Sequence, residues 1–193
     1  MKIIFCSMKD IILEFIDINK DKIDNVIYNE FSLQHELGIF LRSKISPLSV
    51  QFERNVSYFK GDGNNFIKKE IDISIYQDAQ NPKCFMELKY PRNGQYPEQM
   101  FSFCKDIKFL EDLKRHFPES KCYFIAIVDD EGFYSSNKKS IDGIYKYFRG
   151  SELINGEIKK PTGKLEDMFI INGTYKIEWV EVNCKMRYCV VEV

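Results

Sequence analysis

The 193-residue chain has no run of 18 apolar residues, so no segment is expected to span a membrane. Its opening stretch, MKIIFCSMKDIILEF, is interrupted by Lys9 and Asp10 and lacks a small-residue cleavage site, so no secretory signal is expected. There is no C-x-x-C pair among Cys6, Cys84, Cys104, Cys122, Cys184 and Cys189. Most of these lie in apolar runs, where a thiol packs as a small core residue. That favours the reducing cytoplasm over a disulfide framework and argues against a zinc or iron–sulfur site. The formal net charge is only −1, without the strong positive excess common in dedicated nucleic-acid binders. Avid non-specific binding is therefore disfavoured, although a local basic patch is not. Internal repeats, low-complexity tracts and Ser-His-Asp or Cys-His constellations are also missing. The turn 61-GDG-63 is too short to cradle a phosphate.

What remains is an ordinary globular composition, 44% hydrophobic and 30% charged, long enough for one domain with a sizeable core. Residues 8 to 19 space Ile11, Ile12, Phe15 and Ile16 as one helix face. A second helix is expected over 32–45, with Ser32 as N-cap, Leu33, Leu37, Phe40 and Leu41 on one side, and a stop before Pro47. The run 49–59 is β-like, and strands follow at 70–76 and 84–90. A long helix over 98–117 carries Phe103, Ile107, Leu110, Leu113 and Phe117 on one side. The apolar run 121–128 reads as a strand covered on both faces. Residues 129–172 are less legible, with 135–140 and 155–164 loop-like and basic. Strands at 174–182 and 186–193 form a terminal hairpin. The order predicts an α/β, α+β-like layered domain with a mixed central sheet flanked by helices.

The two middle strands, 70-EIDISIY-76 and 84-CFMELKY-90, carry charge where a core strand would carry apolar residues. Side chains alternate between faces. If the strands pair as neighbours, Asp72, Glu87 and Lys89 converge on one side of the sheet; the plainer account is the solvated face of an amphipathic hairpin. Glu36 falls between Leu33, Leu37 and Phe40, inside the expected apolar stripe, where a carboxylate is costly unless paired, protonated or bound to a cation. Its alternative place is the stripe's margin, paired with Arg42 or a lysine. Three carboxylates beside a lysine suit Mg²⁺ or Mn²⁺ and phosphodiester hydrolysis: hard oxygen ligands, a metal-activated water, and an ammonium that stabilises developing charge.

The order of parts resembles the PD-(D/E)XK nuclease superfamily, the restriction-endonuclease-like fold. A helix bearing Glu36 precedes a strand bearing Asp72. Next come a strand with 87-ELK-89 and a helix whose first turn holds Gln99. The run 99-QMFSF-103 is similar to the Q-x-x-x-Y element of the helicase-associated exonuclease branch, with Phe103 at the Tyr position. Ile71 stands where the superfamily's name has proline. The resemblance spans about residues 30–128 and leaves 129–193 as an extension with the terminal hairpin. It implies that Asp72 and Glu87 ligate a divalent metal with the carbonyl of Leu88, and that Lys89 is catalytic. Glu36 would complete the metal shell directly or through water. Gln99 would orient Lys89, the metal water or the DNA; otherwise it belongs to a capped helix end near Pro97.

Among loop-borne cations, Lys60, Lys68, Lys69 and Arg92 are candidate nucleic-acid contacts, as are Lys138, Lys139, Lys159, Lys160 and Lys164; taken singly, solvated charge is the plainer account. Asp106 and Glu111 are expected in solvent-side pairs with Lys105, Lys108 or Arg115. The expected activity is Mg²⁺-dependent hydrolysis of DNA. A catalytically silent module of the same fold, binding nucleic acid or a protein, is the alternative. A structural salt-bridge cluster in an unrelated α+β protein is a more distant one. Enzymes of this fold that cut both strands usually act as two-fold dimers, and the terminal hairpin with Trp179 and Tyr188 would either supply that edge or close the core.

Overall fold

In a computed structural model of the protein, residues 7–61, 66–92, 94–137, 140–163 and 167–193 are described. Cys6, Lys138, Lys139, Lys164 and most of the 61–63 turn lie outside them.

Helix α1, Met8–Asn19, starts at Ser7, whose side chain and that of Asp10 cap each other's backbone N–H groups. It buries Ile11, Ile12, Phe15 and Ile16 as the spacing predicts. Helix α2 is Glu30–Lys44, one turn earlier than expected at its start. Asn29, not Ser32, is the N-cap: its Oδ1 accepts the Ser32 N–H at 2.8 Å, and Ser32 Oγ accepts the Asn29 N–H at 3.0 Å. The extra turn brings Glu30 into the helix.

Strand β1, Ser49–Asn55, is shorter than expected because Asn55 caps a 3₁₀ turn at Val56–Tyr58, accepting from Ser57 N. Strands β2, Glu70–Tyr76, and β3, Pro82–Lys89, are adjacent and antiparallel, with Ile73 opposite Met86 and Ser74 opposite Phe85. Helix α3, Tyr96–His116, crosses to β4, Lys121–Val128, which runs parallel to β3. After the short helix α4, Tyr145–Phe148, strands β5, Ile154–Lys159, and β6, Met168–Tyr175, form their own two-stranded sheet. Strand β7 is only Val180–Glu181, and β8 is Arg187–Glu192. The main sheet runs β1-β2-β3-β4-β8-β7 and is antiparallel except for β3/β4. The fold is therefore mixed α/β, a mostly antiparallel six-stranded sheet flanked by helices.

Two sequence expectations fail in the C-terminal third. The 155–164 stretch contains strand β5 rather than a loop. Its Ile154 and Ile158 are buried, but Gly156, in the left-handed region at φ 68°, breaks the alternation at a register shift with β6. The strand expected at 174–182 is instead the end of β6, a non-strand segment, and a two-residue β7. The hairpin to β8 survives only as Val180–Tyr188 and Glu181–Arg187 pairs.

One face of the main sheet packs α1 and α2: Ile12, Phe15, Leu33, Leu37 and Leu41 meet Ile73, Ile75, Met86, Leu88, Ile125 and Ile127. The other packs α3: Met100, Phe103, Ile107, Leu110 and Leu113 meet Phe85, Phe124, Ala126 and Val128. Strand β4 is buried from Cys122 to Val128, as its continuous apolar run requires. No helix among the described residues is long and apolar enough to cross a membrane.

Candidate functional site

The β2/β3 register places Asp72 across from Glu87, and Lys89 follows two residues later on the same side of β3. These are not the solvated face of a hairpin. Asp72 is 9% exposed and Glu87 fully buried, and both lie under α3. Asp72 Oδ2 accepts the Leu88 N–H at 2.6 Å, tying the carboxylate to the neighbouring strand. Burial drives the Asp72 pKa up to about 6, against the pull of Lys68 and Lys89. Burial, then the charges of Asp72 and Asp106, raises Glu87 well above the ordinary carboxylate range.

Helix α3 supplies a third acid. Asp106 is 2% exposed and pairs with two lysines instead of the solvent-side partners expected for it. Its Oδ1 accepts from Lys68 Nζ at 2.8 Å. Its Oδ2 lies 3.0 Å from Lys89 Nζ, close enough for an ion pair but out of line for a hydrogen bond. Asp106 sits three residues after Phe103 and four before Leu110, inside the buried stripe of α3. Glu111, the other acid expected at the surface with a lysine or arginine, instead accepts from the backbone of Asn172 and Gly173 and from Tyr175 Oη, anchoring β6 to α3.

Lys68 is the second departure. Its ammonium bridges Glu87 and Asp106, so it is part of the cluster and not a solvated loop cation. Burial alone would lower the Lys68 pKa, but Glu87, Asp106 and Asp72 outweigh it and leave the group above the ordinary lysine value. Lys89 behaves alike: burial is outweighed by Asp106, Glu30 and Asp72. Its Nζ donates to the Leu88 carbonyl at 3.0 Å and reaches Glu30 Oε1 at 3.5 Å.

Glu36 is not brought to this cluster. Its side chain is 39% exposed and pairs with His35 Nδ1 at 3.4 Å. The buried stripe of α2 is Leu33, Gln34, Leu37, Gly38 and Leu41. Phe40, counted with Leu33 and Leu37 in the expected stripe, is only half-buried. Glu36 precedes Leu37 by about 100° of helical turn, on the side away from Gln34 and Gly38. Gln34 occupies the inward place instead, its Nε2 donating to the Asp72 carbonyl at 2.7 Å and to Glu53 Oε1 at 2.6 Å. Gly38 faces Phe52 so closely that any Cβ there would collide with the ring. Glu53 lies in register between the Phe52–Ile73 and Arg54–Ile71 pairs, opposite Asp72, with φ at 49°. A non-glycine residue held there costs about 1 kcal/mol, and such strain gathers at functional sites. A pocket of about 200 Å³, lined by Glu30, Phe31, Gln34, Glu53, Asp72 and Leu88, opens onto the cluster.

The remaining candidates lie further out. Gln99 is half-buried in the first turn of α3, seven residues before Asp106 and so on its side of the helix. Phe103 packs among Phe124, Phe133 and Phe148. Arg92 is held between Asp24 and Asp129. Lys60 lies over the Phe66 ring, and Lys69 is exposed beside the cluster.

Among the described residues, Glu30, Glu87 and Asp106 thus pair with the ammonium groups of Lys68 and Lys89, with Asp72 beside them and Glu53 held by Gln34 at the rim of the pocket. The buried carboxylates of Asp72, Glu87 and Asp106, with half-buried Glu30 beside them, are oxygen donors of the kind that fit a hard divalent cation. Among the described residues, however, no three His, Cys, Asp or Glu side chains are already gathered closely enough to hold one. Compared with protein-family models, curated proteins and solved structures, the chain gives no match.

Proposed function

We propose that the chain hydrolyses phosphodiester bonds of DNA with the help of Mg²⁺ or Mn²⁺. The observation that carries this is the pairing of Asp72 with Glu87 across β2/β3, both buried, with the partly buried Lys89 on the same face and ion-paired to Asp106 of α3. The element order supports it. Helix α2, antiparallel β1, β2 and β3, helix α3, and β4 parallel to β3 follow the sequence of parts in the restriction-endonuclease-like fold.

Asp72, Glu87 and the Leu88 carbonyl are the groups that would hold the cation. It would supply an activated water and neutralise charge on the phosphoryl oxygens. Lys89 keeps its proton, because the carboxylates around it outweigh its burial. It therefore serves as a hydrogen-bond donor and positive charge toward a developing oxyanion and not as the base. Asp106 and the Leu88 carbonyl fix its ammonium from two sides. The backbone N–H of Leu88 orients Asp72, and Gln34 locks the Asp72 backbone to α2. The described cysteines are free thiols, in keeping with a reducing compartment. A dimer that cuts both strands would use the β7 edge. Trp179 is not available to it, since its indole packs on the α3-side core and donates to the Phe148 carbonyl.

Lys68 favours a second reading, a module of the same fold without chemistry, because its ammonium already sits between Glu87 and Asp106. Incubation with single-stranded, duplex and branched DNA and Mg²⁺ or Mn²⁺ separates the two. The nuclease cleaves, and Lys89→Ala cuts the rate about a hundredfold or more while calorimetric Mn²⁺ binding persists. Absence of both cleavage and Mn²⁺ binding in the wild type would leave the silent module.

A further inference from the structure

Among the described residues, strand β1 is an edge of the main sheet, and an open groove of about 770 Å³ runs along it. Arg42 and Arg54 line this groove with Gln51, Asn55, Ser57 and Tyr58. Each guanidinium rests on an aromatic ring, Arg42 at 5.0 Å from the Phe52 centroid and Arg54 at 4.2 Å from that of Tyr58. Each is anchored by neutral acceptors: Arg42 by the Val50 carbonyl, and Arg54 by Gln51 Oε1. Among the described residues neither pairs with a carboxylate, whereas Arg92, Arg115 and Arg187 all do. The one acid of the groove, Glu53, is hydrogen-bonded to Gln34. It stands where the groove meets the pocket that opens onto Asp72.

We infer that this groove is a track for the phosphodiester backbone of a nucleic-acid strand, with Arg42 and Arg54 as its phosphate contacts. Ring-backed, pre-oriented guanidinium groups with no ion-paired carboxylate among the described residues suit phosphate oxygens. The polar lining of Asn55 and Ser57 adds sequence-independent donors. Tyr58, 41% exposed, adds an aromatic surface of the kind on which bases stack. The β1 edge would also accept an acidic peptide as an added strand. Continuity with the carboxylate–lysine cluster favours the nucleic acid. The inference deepens the nuclease reading and rests on it for the direction of the track, but binding can be measured without catalysis.

The test is fluorescence anisotropy of the full chain with a labelled 12-nucleotide single strand and a 12-base-pair duplex. It is run in EDTA across a salt series. Loss of two phosphate contacts in Arg42→Gln/Arg54→Gln should flatten the log Kd against log salt slope by about 1.4 on the single strand. That is about 25-fold weaker binding at 0.1 M salt; on the duplex the slope change is about 1.8. Ser57→Glu, at an exposed position, should weaken binding in the same direction without removing any packed group, which guards against a double variant that fails to fold. An unchanged slope in folded variants overturns the inference. So does absence of salt-dependent wild-type binding to both oligonucleotides, or preferential binding of a polyglutamate peptide. Failure of DNA cleavage in Mg²⁺ with the slope change intact removes the nuclease reading and leaves the track; cleavage with no slope change does the reverse.

Discussion

Lys68 and Lys69 are neighbours in sequence and opposites in circumstance. Lys69 points to solvent, while Lys68 lies between two carboxylates that are themselves almost wholly buried. The contrast extends to the whole molecule. On the surface, pairs such as Lys44–Glu14 at 2.6 Å and Lys121–Glu192 at 2.7 Å have good distances but sit in water, where such pairs contribute about 0–1 kcal/mol. Under α3 the same chemistry acts with little screening. Distance alone does not separate the two populations; burial and the number of partners do.

The sharpest way to break that comparison is Asp106→Ala. It strips Lys68 and Lys89 of the carboxylate they share and leaves two ammonium groups half-buried among unbalanced acids. The expected cost is about 3–5 kcal/mol, or roughly 6–20 °C in Tm for a chain of this size. Glu14→Ala, which breaks the equally short Lys44 pair at the surface, should cost under about 1 kcal/mol. Urea melts of the two variants check this. Equal effects would mean that water reaches the cluster freely.

Asp72→Asn should act in the opposite direction. Asp72 has no ammonium contact as close as those of Asp106, and burial holds its pKa at about 6 against an ordinary 3.8. The native state therefore binds the proton more tightly than the unfolded chain, and stability falls as pH rises from about 4 to about 6. By pH 7 the displacement corresponds to a penalty of about 3 kcal/mol as an upper bound. The amide removes it while its oxygen can still accept the Leu88 N–H, so the variant should gain about 1–3 kcal/mol at pH 7 and lose the slope between pH 4 and 6. Denaturation midpoints across that range test it; a variant less stable than wild type at pH 7 would show that the ionised carboxylate is well satisfied where it lies.

The β2/β3 pair was legible because alternation over seven residues dictates both register and face, and the register alone puts Asp72 opposite Glu87. Helix α3 was legible because Phe103, Ile107, Leu110 and Leu113 recur at three and four spacing. Asp106 was within reach too, since its place between Phe103 and Leu110 is the argument applied to Glu36. What misled was the phase of α2: with Phe40 counted as core, the stripe's centre moved toward Glu36 and away from Gln34. Lys68 had no local signal at all, because its partners are 19 and 38 residues away. Glu53 and Glu30 were hidden likewise, the first by a backbone kink and the second by a capping box that starts α2 a turn early. Strand β5 was lost because Gly156 interrupts its alternation, so that its polar residues look like a loop.

The smallest expected effect falls on Glu36 and bears on the division between clustered and solvated charge. Its sequence neighbourhood suggests a metal-shell residue, in which case Glu36→Gln would lower hydrolysis about a hundredfold and weaken Mn²⁺ binding. The structure places the carboxylate 39% exposed, with His35 as its partner at 3.4 Å. An amide there gives up a solvent-screened contact and leaves Leu33, Gln34 and Leu37 undisturbed beneath it. Stability should change by less than about 0.5 kcal/mol, the range of surface substitutions without a buried partner. Cleavage rate and Mn²⁺ affinity should match the wild type, because Gln34 and not Glu36 is the α2 side chain that touches Asp72. Single-turnover cleavage and a Mn²⁺ titration on Glu36→Gln and Gln34→Ala decide the matter. A large loss in the first with little change in the second would reverse the assignment of the helix face and return Glu36 to the site.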